Sequence, residues 1–165
     1  MKAPGISIRA GGLDDVAHVL DFWLQAAEGT DRRDSPAKVT ALLHHDPGAL
    51  LLAELPSRLG EPTTTQLGER VTAQPGTPGG ELVGTLIAGW DGWRAHLYRL
   101  AVHPAHRRQG IATALLAAAE DRFSRFGAFR ADAMILQGNT LAHPAWSAAG
   151  YAPQPEWSRW VKPLA

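Results

Sequence analysis

The chain has 165 residues, with 16 basic and 16 acidic side chains, 45% apolar residues and no cysteine. That length predicts one domain with a real core, and a charged fraction of 19% argues against wholesale disorder. The lack of cysteine excludes a disulfide scaffold, thiolate metal clusters and a cysteine nucleophile, and a net charge of zero gives no reason to expect nucleic-acid binding.

Met1-Lys2-Ala3-Pro4-Gly5 holds no apolar signal-like run, and the longest apolar stretches, 49–53 and 112–119, fall far short of the ~20 residues that span a bilayer. A soluble cytoplasmic protein is expected. Residues 6–9 alternate apolar and polar side chains, as a half-buried strand does. Leu13, Val16, Leu20, Trp23 and Ala27 then recur at helical spacing, with Asp14 and Asp15 where the helix dipole favours anions. Residues 29–35 read as a loop. Ser35 is placed to cap a helix that has Pro36 at its first position, runs to about His45 and is stopped by Asp46-Pro47-Gly48. Residues 49–55 form an apolar run of strand length, buried on both faces. Between 56 and 80, four prolines, five glycines and a threonine triplet predict a flexible insertion, with a broken hairpin near 70–73, in an otherwise single domain spanning 1–165.

Residues 82–88 and 94–102 read as strands joined through the Asp91-Gly92 turn signal. Trp90 and Trp93, at that hairpin, either cover the edge of the core or wall a groove. Ile111, Leu115, Ala119, Phe123 and Phe126 share one face of a helix ended by Gly127. A buried strand over 131–136, a shorter helix over 139–149 and a closing strand over 157–162, with Trp157 and Trp160 packing, complete the series. Strands and helices alternate without regular βαβ spacing, which predicts an α/β (α+β) mixed sheet flanked by helices.

The stretch 100–116 carries the chemistry. A buried strand reaches Pro104, which cannot continue a ladder, and a short polar turn with Arg107, Arg108 and Gly110 leads into a helix. Free N–H groups at the helix start, the dipole and two guanidinium groups together describe an anion site, most simply one for phosphate. No G-x-x-x-x-G-K-[ST] or G-x-G-x-x-G spacing supports the two common nucleotide loops.

Leu100-Ala101-Val102-His103-Pro104 followed by Arg107-Arg108-Gln109-Gly110-Ile111-Ala112 resembles, without a gap, the acyl-CoA loop of the GCN5-related N-acetyltransferase (GNAT) family. Asn139, Ala142, Ala145, Trp146, Gly150 and Tyr151 match a second family pattern, and Ile8-Arg9 ahead of Asp14 and Asp15 is similar to the family's opening. The resemblance implies a central, mostly antiparallel mixed sheet of six to seven strands flanked by about four helices. It implies acetyl-CoA as cosubstrate and an amine as acceptor, joined by direct attack without a covalent enzyme intermediate. Main-chain N–H groups from Arg108 to Thr113, including Gln109, Gly110, Ile111 and Ala112, would hold the pyrophosphate beside Arg107. Main-chain groups of Leu100, Ala101 and Val102 would pair with the pantetheine arm, one N–H polarising the thioester carbonyl. Asn139 would contact the pantetheine or cap its helix. Trp146 stands where many relatives carry a tyrosine that protonates the departing thiolate; an indole N–H is no usable acid, which leaves Ser147, His143 or water.

A base for the acceptor amine is sought at His96, four residues before Leu100, with Asp91 and Asp132 as competitors. No metal is expected: His44 and His45 are adjacent on a helix and point apart, and no H-E-x-x-H spacing occurs. Residues 94–130 hold 7 basic and 2 acidic side chains and residues 1–55 hold 5 and 8, so the neutral total conceals a basic segment around the loop and an acidic N-terminal part that suits a cationic amine. A non-catalytic acyl-CoA-binding or sensing module is the alternative reading. No membrane or nucleic-acid partner is expected, and the protein would be a monomer or homodimer.

Overall fold

A computed structural model describes residues 5–26, 34–56 and 80–164. Contacts divide the chain into two units, 1–134 and 135–165. In the first, five strands lie side by side in chain order: β1 (Ser7–Ala10), β2 (Leu50–Pro56), β3 (Gly80–Trp90), β4 (Ala95–Val102) and β5 (Ala131–Ala133). β1 to β4 are antiparallel neighbours, and β5 runs parallel to β4. The helices are α1 (Val16–Ala26), α2 (Pro36–His45) and α3 (Ile111–Arg125) in this unit and α4 (His143–Ala148) in the second. The mixed, mostly antiparallel sheet and the four helices agree with expectation, and five strands stand among the described residues in place of six or seven.

Local signals act as the sequence indicates. Ser35 accepts the Lys38 N–H with Pro36 at the first helical position of α2. Gly127, at φ +75°, stops α3, and the N–H groups of Gly127 and Ala128 close back onto Ser124 and Phe123. The N-terminal helix differs at its start: Leu13–Asp15 is a 3-10 turn and α1 begins only at Val16. The sheet is also longer at one point than composition suggests, since Pro56 and Gly80 pair directly as the ends of β2 and β3. The rest of the predicted insertion, including 70–73, lies outside the described residues.

Three expectations near the C-terminus are corrected. The strand predicted over 131–136 forms only over Ala131–Ala133, and Met134 and Leu136 are exposed. No strand forms over 157–162: the segment is bracketed by Pro153, Pro155 and Pro163, and Trp157 and Trp160 are exposed rather than packed. The predicted helix over 139–149 is likewise shorter, with turns before His143.

Side-chain alternation divides the core between the faces of the sheet. On one face, Val19, Phe22, Trp23, Val39 and Leu43 of α1 and α2 pack with Leu50, Leu52 and Leu82. On the other, α3 sits directly on β3: a Cβ at Gly84 would lie 2.7 Å from Ile111 Cγ2 and 3.0 Å from Leu115 Cδ1. The absence of a side chain at 84 is what lets the helix start approach the sheet this closely.

Two guanidinium groups tie elements together. Arg9 grips Asp15 through Nη1 and Nη2 at 2.8 and 2.7 Å and Glu54 through Nε and Nη2 at 2.9 and 2.7 Å. Both carboxylates are 6% exposed. These bonds raise the Arg9 pKa and hold Asp15 below the usual carboxylate range against the opposing effect of burial. Arg122 of α3 donates to Ala88 O at 3.0 Å and to Asp46 Oδ1, while Asp46 Oδ2 accepts the Trp90 N–H at 2.9 Å. Trp90 stacks on Phe126, so this tryptophan covers the edge of the core. Trp93, 70% exposed, lies under the Arg94 guanidinium.

Candidate functional site

β4 is the strand on which the site is built. It pairs with β5 only at Ala95, His96 and Leu97, then runs on to Val102. Beyond Leu97 no described strand pairs with that side of β4, so Leu100, Ala101 and Val102 border an open ladder position. On its other side β4 is paired with β3, but the register slips: Thr85 faces Ala101 and Ile87 faces Tyr98. Arg99 and Leu100 therefore oppose a single residue, a bulge in which Arg99 takes φ +54°.

At the end of β4 the chain turns through Pro104–His106, with the His103 ring accepting the Ala105 N–H at 3.3 Å. Arg107 is extended and its Nε donates to Val102 O at 3.5 Å, which ties the turn back to the strand. Arg108 and Gly110 are both left-handed, at φ +63° and +80°. Left-handed residues at alternate positions curve a backbone so that successive N–H groups converge on one concavity. Gly110 caps α3, whose first bond runs from Ala114 N to Gly110 O at 3.0 Å, so the N–H groups of Ile111, Ala112 and Thr113 precede the intrahelical ladder. Ile111, 1% exposed, anchors this start under Gly84.

The three base candidates meet at the hairpin end of β4. His96 stands in register with Gly89 on one side and Asp132 on the other, and its Nε2 is 3.8 Å from Asp91 Oδ2. Asp91 Oδ1 accepts the N–H groups of Trp93 and Arg94, which holds its carboxyl below the usual range. Asp132 is paired with Arg130, at 3.0 Å. Both acids are thus engaged with other groups, and the imidazole is half-buried.

In the second unit, Asn139 Oδ1 accepts the Ala142 N–H at 3.3 Å, capping the turn before α4. Trp146 is buried and meets the Tyr151 ring edge to face at 5.1 Å. Ser147 is exposed, and the His143 ring lies 3.3 Å from Leu136 O. Among the described residues no group of three or more His, Asp or Glu is arranged to hold a metal ion, and no helix is long and apolar enough to cross a membrane.

Sequence reasoning passed over Thr85 and Arg99 and placed Trp23 only on the apolar stripe of its helix. Trp23 Nε1 donates to Thr85 Oγ1 at 2.8 Å, and that hydroxyl donates to Arg99 O at 3.2 Å. Arg99 also lies over the Trp23 ring and pairs with Asp34. A lone hydroxyl inside the apolar run 82–88 was the available signal, because a buried hydroxyl needs a partner.

Residues 60–151, more than half of the chain, match the model of the acetyltransferase (GNAT) family. An acetyltransferase of Sodalis glossinidius is 28% identical over 134 residues, covering 81% of this chain and 78% of its own. Ard1 from Thermoplasma volcanium shares the fold with a TM-score of 0.67 at 15% identity, over 90% of this chain and 83% of that one. The yncA protein of Salmonella typhimurium, solved with its cofactor acetyl-CoA, gives 0.63 at 20% identity, over 90% and 80%. The fold is thus that of the acetyltransferases, with acetyl transfer as the class of activity. The chain belongs to the GNAT family.

Proposed function

We propose that this protein is an N-acetyltransferase that moves the acetyl group of acetyl-CoA onto a primary amine, on a small molecule or a protein, by direct attack. The observation that carries the reading is the open ladder at Leu100, Ala101 and Val102 continuing into the concavity at 107–113. A peptide-like arm ending in a pyrophosphate needs that donor set in that order: main-chain groups along a strand, then clustered N–H groups at a helix start. The residues therefore fit the group. When bound, acetyl-CoA supplies the activated acyl carbonyl.

The chain's own residues supply the rest. The N–H groups of Gln109, Gly110, Ile111, Ala112 and Thr113 would hold the pyrophosphate, with Arg107 and Arg108 adding charge. The Leu100 N–H would polarise the acyl carbonyl. His96 would take the proton of the acceptor amine, its Nε2 lying 3.8 Å from Asp91 Oδ2. Asn139 and Trp146 are proposed as further cofactor-binding residues, and 1–165 as a single domain. No thiolate acid is assigned, since a thiol with a pKa near ~8.5 is a tolerable leaving group without one. A cytoplasmic monomer or homodimer completes the proposal.

Thiol release from acetyl-CoA across an amine library tests it, with binding followed by calorimetry. Turnover with a subset of amines is the expected result. Binding without turnover across the library would replace the enzyme with an acyl-CoA-binding module, and absence of binding would remove both readings.

A further inference from the structure

The bulge in β4 carries an unusual cost: Arg99 is a long-chain residue at φ +54°, a conformation that persists only where the surroundings hold it. Three contacts do so. Its guanidinium lies 5.1 Å over the Trp23 ring, it pairs with Asp34, and its carbonyl accepts the Thr85 hydroxyl at 3.2 Å. Thr85 is fully buried and is itself oriented by Trp23 Nε1 at 2.8 Å. A run of hydrogen bonds therefore leads from α1 through β3 into the strained peptide of β4.

That peptide is the one that matters for the proposed reaction. No peptide bond described is cis, so the Arg99 C=O and the Leu100 N–H point in opposite directions across one rigid plane. Thr85 lies on β3 and draws the carbonyl toward β3. The Leu100 N–H is thereby turned to the outer side of β4, where no described strand pairs beyond Leu97. We infer that Thr85, set by Trp23, is a positioning residue that aims the Leu100 N–H at the acyl carbonyl of the donor. The inference rests on the acetyl-CoA reading above. It adds that the donor is oriented from inside the core by a threonine hydroxyl that touches no substrate.

The test compares affinities for acetyl-CoA and for CoA, which differ only in the acyl group that this N–H would meet. Wild type, Thr85→Val, Thr85→Ser and the double variant Trp23→Phe/Thr85→Val are titrated calorimetrically, with melting temperatures recorded. The double variant removes both polar partners together, so a folded protein without the hydroxyl remains available if Thr85→Val alone fails to fold. Loss of aim in one hydrogen bond predicts that the ratio of acetyl-CoA to CoA affinity falls about threefold to tenfold in the variants lacking the hydroxyl. Affinity for CoA itself stays near wild type, and Thr85→Ser restores the ratio. Equal losses for both ligands, or an unchanged ratio in a folded variant, overturn the positioning role while leaving acetyl-CoA binding intact. If wild type binds neither ligand, the acetyl-CoA reading fails and the inference with it.

Discussion

Replacing Arg9 with methionine keeps a long side chain in place and removes the charge shared by Asp15 and Glu54. Four short hydrogen bonds, between 2.7 and 2.9 Å, are lost at once, and two carboxylates that are each 6% exposed face one another without a cation. Breaking a buried ion pair on one side costs about 3–5 kcal/mol, because the remaining charge stays desolvated. For a chain of this size that corresponds to a fall in Tm of roughly 6–20 °C. Urea unfolding at neutral pH, with a melt as the second probe, measures the deficit. The pH dependence separates an electrostatic cause from a packing one. Asp15 is held low in the folded chain by Arg9, so its contribution is complete above the unfolded value near ~3.9 and is lost as pH falls through the folded value. The difference between wild type and Arg9→Met is therefore full at pH 7 and narrows on acidification below about pH 4. A variant within about 1 kcal/mol of wild type at pH 7, or a deficit independent of pH, would refute the reasoning.

Other substitutions probe the site and its support. Gly110→Val puts a side chain on a residue at φ +80°, at a cost of about 1–2 kcal/mol. It should lower CoA affinity at least tenfold by calorimetry, and unchanged affinity would contradict the loop assignment. Gly84→Ala places a Cβ 2.7 Å from Ile111 Cγ2 and should destabilise the fold by about 1–3 kcal/mol in a denaturant titration. No loss there would mean that α3 has room to move. His96→Ala should slow acetyl transfer by about a hundredfold at low pH and less at high pH, where more of the amine is already neutral. Parallel pH profiles for variant and wild type would remove His96 as the base.

The parts of the fold legible in the sequence were those set by local chemistry. Ser35 and Pro36 open α2, Gly127 ends α3, and the spacing of Ile111, Leu115, Ala119 and Phe123 gives α3 its buried face. The loop at 103–113 was legible because Pro104 and Gly110 each do something few other residues can. Features that depend on distant partners were not. Trp157, Trp160 and Val161 are residue types that favour a strand over 157–162, yet pairing needs a neighbour that no local pattern encodes. Gly80 and Glu81 were hidden in a loop-like composition, although they pair with Pro56 and Leu55. The bulge at Arg99 was opaque for a similar reason: left-handed positions announce themselves when glycine occupies them, and here tertiary contacts hold an arginine instead.

The short pairing of β5 with β4 has a consequence for how the protein behaves in solution. A ladder position that no described strand fills is also an invitation to any other extended chain, since main-chain hydrogen bonding does not discriminate between a small ligand and a neighbouring polypeptide. The ligand-free form should therefore be the one that self-associates at high concentration. A small molecule seated there would both block that route and add stability, by about 2.7 kcal/mol when present at 100 times its Kd. Abundance of the donor in its surroundings would then govern the shelf life of the protein as well as its rate of turnover.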